Sequence, residues 1–450
     1  MKIVQSQSVN TPERSVPWYR QLTRHQWNSL LASNLGWLFD GYETYALILT
    51  VAVALHQLLG VSQRPHLPFY AGLVIAITLF GWGVGGILGG ILADYLGRKR
   101  MMMYAILAYA LLTGLSAVAW SWASFAVLRF LVGLCIGSEW STGTSLMAEM
   151  WPNGARGKGA GLMQCGLGIG FFLASLIWFS VSGLGPNAWR YMYLVGILPA
   201  LATLWIRRGI IEPEVWMETN RRRSAARAAQ AQTGALDAEG RALTQFTLAA
   251  LFRDPILRRW TIVASIMSLT TTVAWWGIST WVPPYVATLG PKGVLSQAQW
   301  ASVAGMVYNL GAVAGYIGLG FAADRFGRKP VTAAYFLLSL FLTPVLFLWV
   351  HNITLVLVVT LVNGFFTLGQ YTWMPVWLPE LYPTHVRATG VSFVFNAARF
   401  VAFLGPLVAG TLISALGGYS IPATIIGMIY VLGFVAVFFL PETVGKPLPS

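Results

Sequence analysis

Long apolar runs joined by short polar segments fill this chain from residue 27 onward. The first extends from Trp27 to Leu55 and contains Leu47-Ile-Leu-Thr-Val-Ala-Val-Ala-Leu55. Others follow at 69–93, 101–120, 122–149, 157–182, 189–208, 260–289, 299–323, 330–350, 353–379, 388–416 and 420–440. At about 1.5 Å per residue each run can cross a hydrocarbon core about 30 Å thick, so the pattern predicts an all-α membrane protein of twelve transmembrane helices. Short joints make successive helices antiparallel hairpins, and nothing suggests a re-entrant loop. The exception is 209–257, a polar stretch rich in Ala, Gln and Arg that divides the spans six and six and reads as a linker. The expected organisation is an N-terminal segment 1–27, a first six-helix bundle 28–208, a central loop 209–257, a second bundle 258–440 and a tail 441–450.

Composition narrows the class. Of 450 residues 56% are apolar and 10% charged, with a mean hydropathy of +0.64, which excludes an ordinary soluble globule. Cys135 and Cys165 fall inside apolar runs and the five histidines show no ligand spacing, so no disulfide, metal or cofactor is expected. A net charge of +14 raises the question of nucleic acid, and its placement answers it. On the side holding both termini and the central loop lie 24 Lys and Arg, against Arg64, Arg190 and Lys292 on the other. This bias puts the termini and central loop in the cytoplasm of a multi-pass plasma (inner) membrane protein, with lipid and not nucleic acid as its surroundings. No apolar signal-peptide core precedes Trp27, while Trp18, Leu22 and Trp27 suit a short amphipathic lead-in.

The chain repeats itself. Gly90-Ile-Leu-Ala-Asp94-Tyr-Leu-Gly97-Arg98-Lys99 returns 230 residues later as Gly320-Phe-Ala-Ala-Asp324-Arg-Phe-Gly327-Arg328-Lys329. Glu149-Met-Trp-Pro152-Asn-Gly-Ala-Arg156 returns after 231 residues as Glu380-Leu-Tyr-Pro383-Thr-His-Val-Arg387. Two pairs of motifs in one register imply six spans repeated in parallel, with a site at the seam between bundles. These loops resemble those of the major facilitator superfamily over nearly the whole chain. The resemblance implies a cytoplasmic gate in which Asp94, Arg98, Glu149 and Arg156 pair across the bundles with Asp324, Arg328, Glu380 and Arg387. Tyr95 stands where an Arg is more usual, so the first loop is one charge weaker.

Charges shared by both halves suit architecture and gating; charges without a mate suit substrate and ion. At the offset of 230, Asp40 falls on Thr270, Arg129 on Val359, Glu139 on Gly369, and Arg399 back on Ile169. Asp40 lies roughly 20 Å along a helix from Trp27, near the membrane midplane, and Glu43 shares its face. A carboxylate there is functional by default, and a bridge between helices is the plain alternative. Arg129 opens Arg129-x3-Gly133-x3-Gly137, whose glycines admit a close neighbouring helix. In this respect the chain is similar to proton-coupled sugar porters, which implies that Asp40 pairs with Arg129 and that Asp40, Glu43 and Arg129 couple transport to protons.

Arg399 lies roughly 16 Å into the eleventh span, in Phe395-Asn-Ala-Ala-Arg-Phe400. That stretch, with Gly405-Pro406 and Gly410, the first-helix Phe39-Asp-Gly-Tyr-Glu43 and Trp281-Val-Pro-Pro-Tyr285, is similar to aromatic-acid and other carboxylate symporters. The similarity implies that Arg399 holds a substrate carboxylate, for which a planar donor fork is suited. Asn396, Glu139, Gln164 and Gln370 are further candidates at the substrate, and Trp275, Trp276, Tyr371 and Trp373 for stacking. Arg399 bound to Glu139 or Glu43 as structural glue is the plain alternative. Pro441-Glu-Thr-x-Gly445 is closer to sugar porters, a second reading. No nucleophile and base accompany the deep charges, against an enzyme. Gly157–Ser182 lacks the proline usual in drug exporters. The expectation is a monomeric, proton-coupled importer of a small organic anion working by alternating access.

Overall fold

The computed structural model describes residues 17–233, 236–279, 281–295, 297–402, 412, 416 and 418–449, and every regular element among them is helical. The first bundle holds α1 (Arg24–Leu58), α2 (Leu67–Leu96), α3 (Arg98–Ser116), α4 (Trp122–Met150), α5 (Arg156–Val181), α6 (Ala188–Val195) and α7 (Pro199–Gly209). Next come α8 (Glu214–Thr233), α9 (Ala238–Thr244) and α10 (Thr247–Arg253). The second bundle holds α11 (Pro255–Ala274), α12 (Val282–Leu289), α13 (Gln297–Phe326), α14 (Arg328–Pro344), α15 (Ile353–Thr367), α16 (Trp373–Leu381), α17 (Arg387–Ala397) and α18 (Arg399–Ala402), then Ser420–Gly427 and Tyr430–Val437.

Among the described residues nine helices are long and apolar enough to cross a membrane. The three other spans of the twelve depart for visible reasons. α3 starts on Arg98, Lys99 and Arg100, the sixth span breaks before Pro199 into α6 and α7, and the eleventh is described only as far as Ala402. Gly405, Pro406 and Gly410 lie outside the described residues. Among the interruptions in the described spans, a π-helical turn, Trp275–Ser279, separates α11 from α12, and a 3-10 turn, Gly369–Thr372, separates α15 from α16. Such irregular turns are frequent at functional sites.

The bundles meet where small residues let backbones touch. A Cβ on Gly161 of α5 would stand 2.7 Å from the Tyr316 carbonyl oxygen and 3.2 Å from the Gly320 Cα of α13. Across α2 and α17, a Cβ on Gly90 would stand 2.6 Å from the Ala388 oxygen. The repeated loops need glycine for a second reason, since Gly97 and Gly327 have φ of 104° and 101°. Each precedes a helix whose first N–H groups are capped by a distant carboxylate. Glu212 accepts from Lys99 N at 3.1 Å, and Glu442 from Arg328 N and Lys329 N, both at 2.9 Å.

Residues 209–257 are more than a linker. Trp216 Nε1 of α8 donates to the Asp94 oxygen at 3.1 Å, and buried Arg223 donates to the carbonyls of Asp94 at 2.7 Å, Leu243 at 3.0 Å and His385 at 2.9 Å. The Arg223 guanidinium lies 4.8 Å from the Tyr95 ring centroid, so the central segment brings a cation to the loop that lacks its own.

Replacing Gly161 by Leu is expected to wedge α5 from α13, an overpacking of about 1–3 kcal/mol. Spin-label distances between the cytoplasmic ends of these helices should lengthen while circular dichroism reports unchanged helix content.

Candidate functional site

At one end of the seam the eight gate candidates form two buried clusters of the same design, Asp94, Arg98, Glu149 and Arg387 in one and Asp324, Arg328, Glu380 and Arg156 in the other. Arg98 meets Asp94 at 3.1 Å and Glu149 at 3.0 Å, and Arg328 meets Asp324 at 3.1 Å and Glu380 at 2.7 Å. Three ion pairs cross the seam: Arg387 with Glu149 at 2.7 Å, Arg156 with Glu380 at 3.3 Å and Lys158 with Asp324 at 3.0 Å. Each Asp also caps the helix facing it. Asp94 accepts from Ala388 N and Thr389 N at 3.2 and 2.8 Å, and Asp324 from Gly157 N and Lys158 N, both at 3.0 Å. Backbone N–H groups at a helix start are natural carboxylate ligands. With these contacts made, the two bundles are joined at this end of the seam.

At the midplane the charges pair differently from the expectation. Arg129 forms its ion pair with Glu43, not Asp40, and donates to Ser116 Oγ at 2.6 Å, with Tyr193 beneath its guanidinium at 4.7 Å. α1 and α4 run antiparallel, so the residue further along α1, Glu43, meets the one earlier on α4, Arg129. Asp40 is left to Glu139. Both are fully buried, and no described donor serves any of their four oxygens.

Arg399 reaches from the second bundle into a seam cavity of about 30 Å³ lined by Trp37, Thr44, Trp82, Leu167, Phe171, Trp275, Trp276 and Tyr371. Its Nη1 donates to the Phe395 oxygen at 2.8 Å and Asn396 Oδ1 at 3.3 Å, and its guanidinium lies 4.5 Å from the Trp82 ring. Among the described residues it forms no ion pair, which removes the glue reading. A neighbouring cavity of about 20 Å³ shares Thr44, Trp82 and Trp276 and touches Glu43 and Arg129. Such volumes hold about a water each, so the site is contracted. Phe395 and Trp140 stack across the seam at 3.6 Å, one helical turn from Arg399 on the gate side. A larger hollow of about 400 Å³ near His56, Gln57 and Pro186 contains none of the buried charges.

The remaining candidates stand off this cavity. Asn396 holds Arg399, and Gln164 accepts from Trp140 Nε1 at 3.3 Å. Gln370 donates to the Thr367 oxygen at 2.9 Å, and Trp373 to Thr271 at 3.1 Å. Gln164 Nε2 and Gln370 Oε1 are buried without a described hydrogen-bond partner. Sequence reading missed Trp37, Trp82, Arg223, Glu212 and Glu442; the last two lie 230 residues apart, so the repeat already encoded them.

The family model described as sugar (and other) transporter matches residues 30–450. The chain belongs to this family. It is a membrane transporter of the major facilitator superfamily and not an enzyme. The sialic acid transporter NanX of Escherichia coli is 27% identical, covering 91% of this chain and 92% of that protein. The cis,cis-muconate transport protein of Acinetobacter baylyi is 26% identical, covering 84% and 87%. The 4-hydroxybenzoate transporter PcaK of Pseudomonas putida is 26% identical, covering 87% of each. Among solved structures, the proton:xylose symporter XylE bound to 6-bromo-6-deoxy-D-glucose superposes with a TM-score of 0.75 at 19% identity, over 94% of this chain and 98% of that one, a likeness of fold.

Glu43→Gln orphans Arg129 and is expected to cost about 3–5 kcal/mol. In detergent its melting temperature should fall far below that of Asp40→Asn, which breaks no ion pair. Burial, with Arg223 and Arg387 nearby, pushes the His385 imidazole down to about 4. Below the usual imidazole value of about 6.5 the unfolded chain takes a proton that the folded chain refuses, so this residue makes stability fall from pH 6.5 towards pH 4. His385→Asn should flatten that part of a melting-temperature-against-pH curve.

Proposed function

We propose that this transporter is a proton-coupled importer of a small organic anion, a carboxylate or aromatic acid, moved by alternating access across the plasma (inner) membrane. Arg399 carries the reading: a buried cation with no ion partner among the described residues faces a cavity between bundles, ringed by indoles. A low-dielectric pocket with an uncompensated guanidinium favours an anion, and a carboxylate matches its planar fork. Trp37, Trp82, Trp275, Trp276 and Tyr371 offer flat apolar faces for a ring or short carbon skeleton. The relatives named for sialic acid, muconate and 4-hydroxybenzoate support this choice, since each compound is a carboxylic acid. A sugar would need many neutral hydrogen-bonding groups, and beside Arg399 the lining offers the hydroxyls of Thr44 and Tyr371 and the indole N–H groups. The gate pairs would part when the inner side opens, both termini lie in the cytoplasm, and one chain forms the whole pathway.

A thermal-shift panel with 4-hydroxybenzoate, cis,cis-muconate and glucose tests the substrate class. The acids should stabilise the wild type, and Arg399→Ala should weaken their binding roughly ten- to hundredfold, the scale of a lost charge-assisted hydrogen bond. Stabilisation by glucose alone, unchanged in Arg399→Ala, would sink the anion reading. Uptake of 4-hydroxybenzoate into proteoliposomes should rise when an inward proton gradient is imposed.

A further inference from the structure

The guanidinium of Arg399 is tied to the other bundle through neutral groups. Its Nη1 donates to the Phe395 oxygen at 2.8 Å and to Asn396 Oδ1 at 3.3 Å, with the rings of Phe395 and Trp82 centred 4.0 and 4.5 Å away. Asn396 is fixed in turn. Its Nδ2 donates to the Ser392 oxygen at 2.9 Å and to Ser392 Oγ at 3.2 Å, and Ser392 Oγ donates to the Gly86 oxygen of α2. With its NH2 group spent on Ser392, Asn396 turns its one acceptor to Arg399. A single chain of hydrogen bonds thus runs from the backbone of α2 across the seam to the guanidinium.

The first bundle makes room for Asn396 by carrying no side chain opposite it. A Cβ on Gly86 would overlap the Asn396 carboxamide, which is fully buried. α2 has little room to yield, because it already packs backbone to backbone on α4: a Cβ on Gly137 would overlap the Trp82 oxygen and stand 3.0 Å from the Gly86 Cα. The Phe395 ring rests on the same bundle, stacked on Trp140 of α4 at 3.6 Å. Of the described groups around the guanidinium, Trp82 therefore belongs to the first bundle, and Asn396 and the Phe395 ring are braced by it.

We propose that Asn396, seated in the notch at Gly86, is a positioning residue that aims Arg399 into the cavity, so that α2 decides whether the anion site is formed. The inference rests on the reading of Arg399 as the carboxylate-binding group and adds what sets its direction. A planar fork matches a carboxylate only when its orientation is fixed, and a long side chain free to turn must lose that freedom when the ligand binds. While α2 and α17 touch, the protein supplies this order in advance. When they part, Asn396 loses its seat and Trp82 leaves the guanidinium, so Arg399 regains its rotamers and holds the anion less tightly. Affinity for the anion then follows the seam through a neutral carboxamide, with no charge moved.

Gly86→Ala tests this in three backgrounds of the purified full-length protein: the wild type, Asn396→Ala and Arg399→Ala. In the wild type the added methyl should push the carboxamide from its seat, and affinity for 4-hydroxybenzoate should fall roughly tenfold, the scale of one displaced hydrogen bond to a charged group. Asn396→Ala has room for the methyl and Arg399→Ala has nothing left to aim, so in both Gly86→Ala should weaken binding no further. A fall of full size in either background overturns the proposal, as does no fall in the wild type. Asn396→Ala separates aiming from contact. It should weaken the acid roughly tenfold by itself and not at all in Arg399→Ala; a further loss there would make Asn396 a ligand of the substrate and overturn its positioning role. That comparison decides the matter even where Gly86→Ala does not fold. Melting temperatures of the same variants need no substrate. The destabilisation by Gly86→Ala should shrink sharply in Asn396→Ala and partly in Arg399→Ala, and an equal loss in all three backgrounds overturns the notch. A wild type that ignores 4-hydroxybenzoate sinks the substrate reading alone, and the melting temperatures still decide whether Gly86 acts through Asn396 on Arg399.

Discussion

Charge at lipid depth is tolerated only where something neutralises it, and that constraint orders this molecule from its centre outward. Of the five deep charges, Glu43 and Arg129 satisfy each other inside the first bundle, assisted by Ser116 and the Tyr193 ring. That pair needs nothing from the other half. What remains is two acids on the first bundle and one cation on the second, Arg399, placed on opposite sides of the seam. Neither bundle can neutralise its own remainder. The relative position of the bundles therefore sets how near those acids lie to that cation, and altering it changes their electrostatic energy.

The repeated loops pair their glutamates redundantly. Glu149 and Glu380 each hold two arginines, one from their own bundle and one from the other. Parting the seam breaks Glu149 from Arg387 and Glu380 from Arg156, yet leaves Glu149 with Arg98 and Glu380 with Arg328. Arg387 keeps the carbonyls of Pro379 and Tyr382, and Arg156 keeps the Ala148 carbonyl and Asn153 Oδ1. Breaking a buried ion pair ordinarily costs several kcal/mol because a bare charge stays behind. Here each glutamate has a second arginine from its own bundle, which lowers the cost of losing the one across the seam.

Much of this was legible in the sequence, and what was not had a physical reason. Span lengths, the parallel repeat and the gate residues follow from apolar runs and from motifs in a fixed register. The deep unpaired charges emerged by asking which of them the repeat fails to copy. Which acid meets Arg129 was hidden, because Asp40 and Glu43 share a helix face and only the depth of the antiparallel α1–α4 contact chooses between them. Trp37 and Trp82 looked like any packing tryptophan, since a chain this rich in aromatics gives no sign of which rings border a cavity. The role of Gly369–Thr372 was equally silent: a 3-10 turn at depth turns Tyr371 to the cavity, and no residue pattern announced it.

Arg223 shows how the two halves come to differ. The second repeated loop has Arg325 where the first has Tyr95, and in isolation the first looks weakened. The structure supplies the missing cation from α8, whose guanidinium covers the Tyr95 ring while donating to a carbonyl of each bundle, Asp94 on one side and His385 on the other. An arginine in the loop itself can also reach across, as Arg98 does to the Thr384 oxygen at 2.9 Å. One delivered from the central segment bridges both, and because its three acceptors are neutral carbonyls it can let go without leaving an unpaired acid behind. α8 thus fastens the first repeated loop to both bundles, a link that the second repeated loop does not share through Arg223.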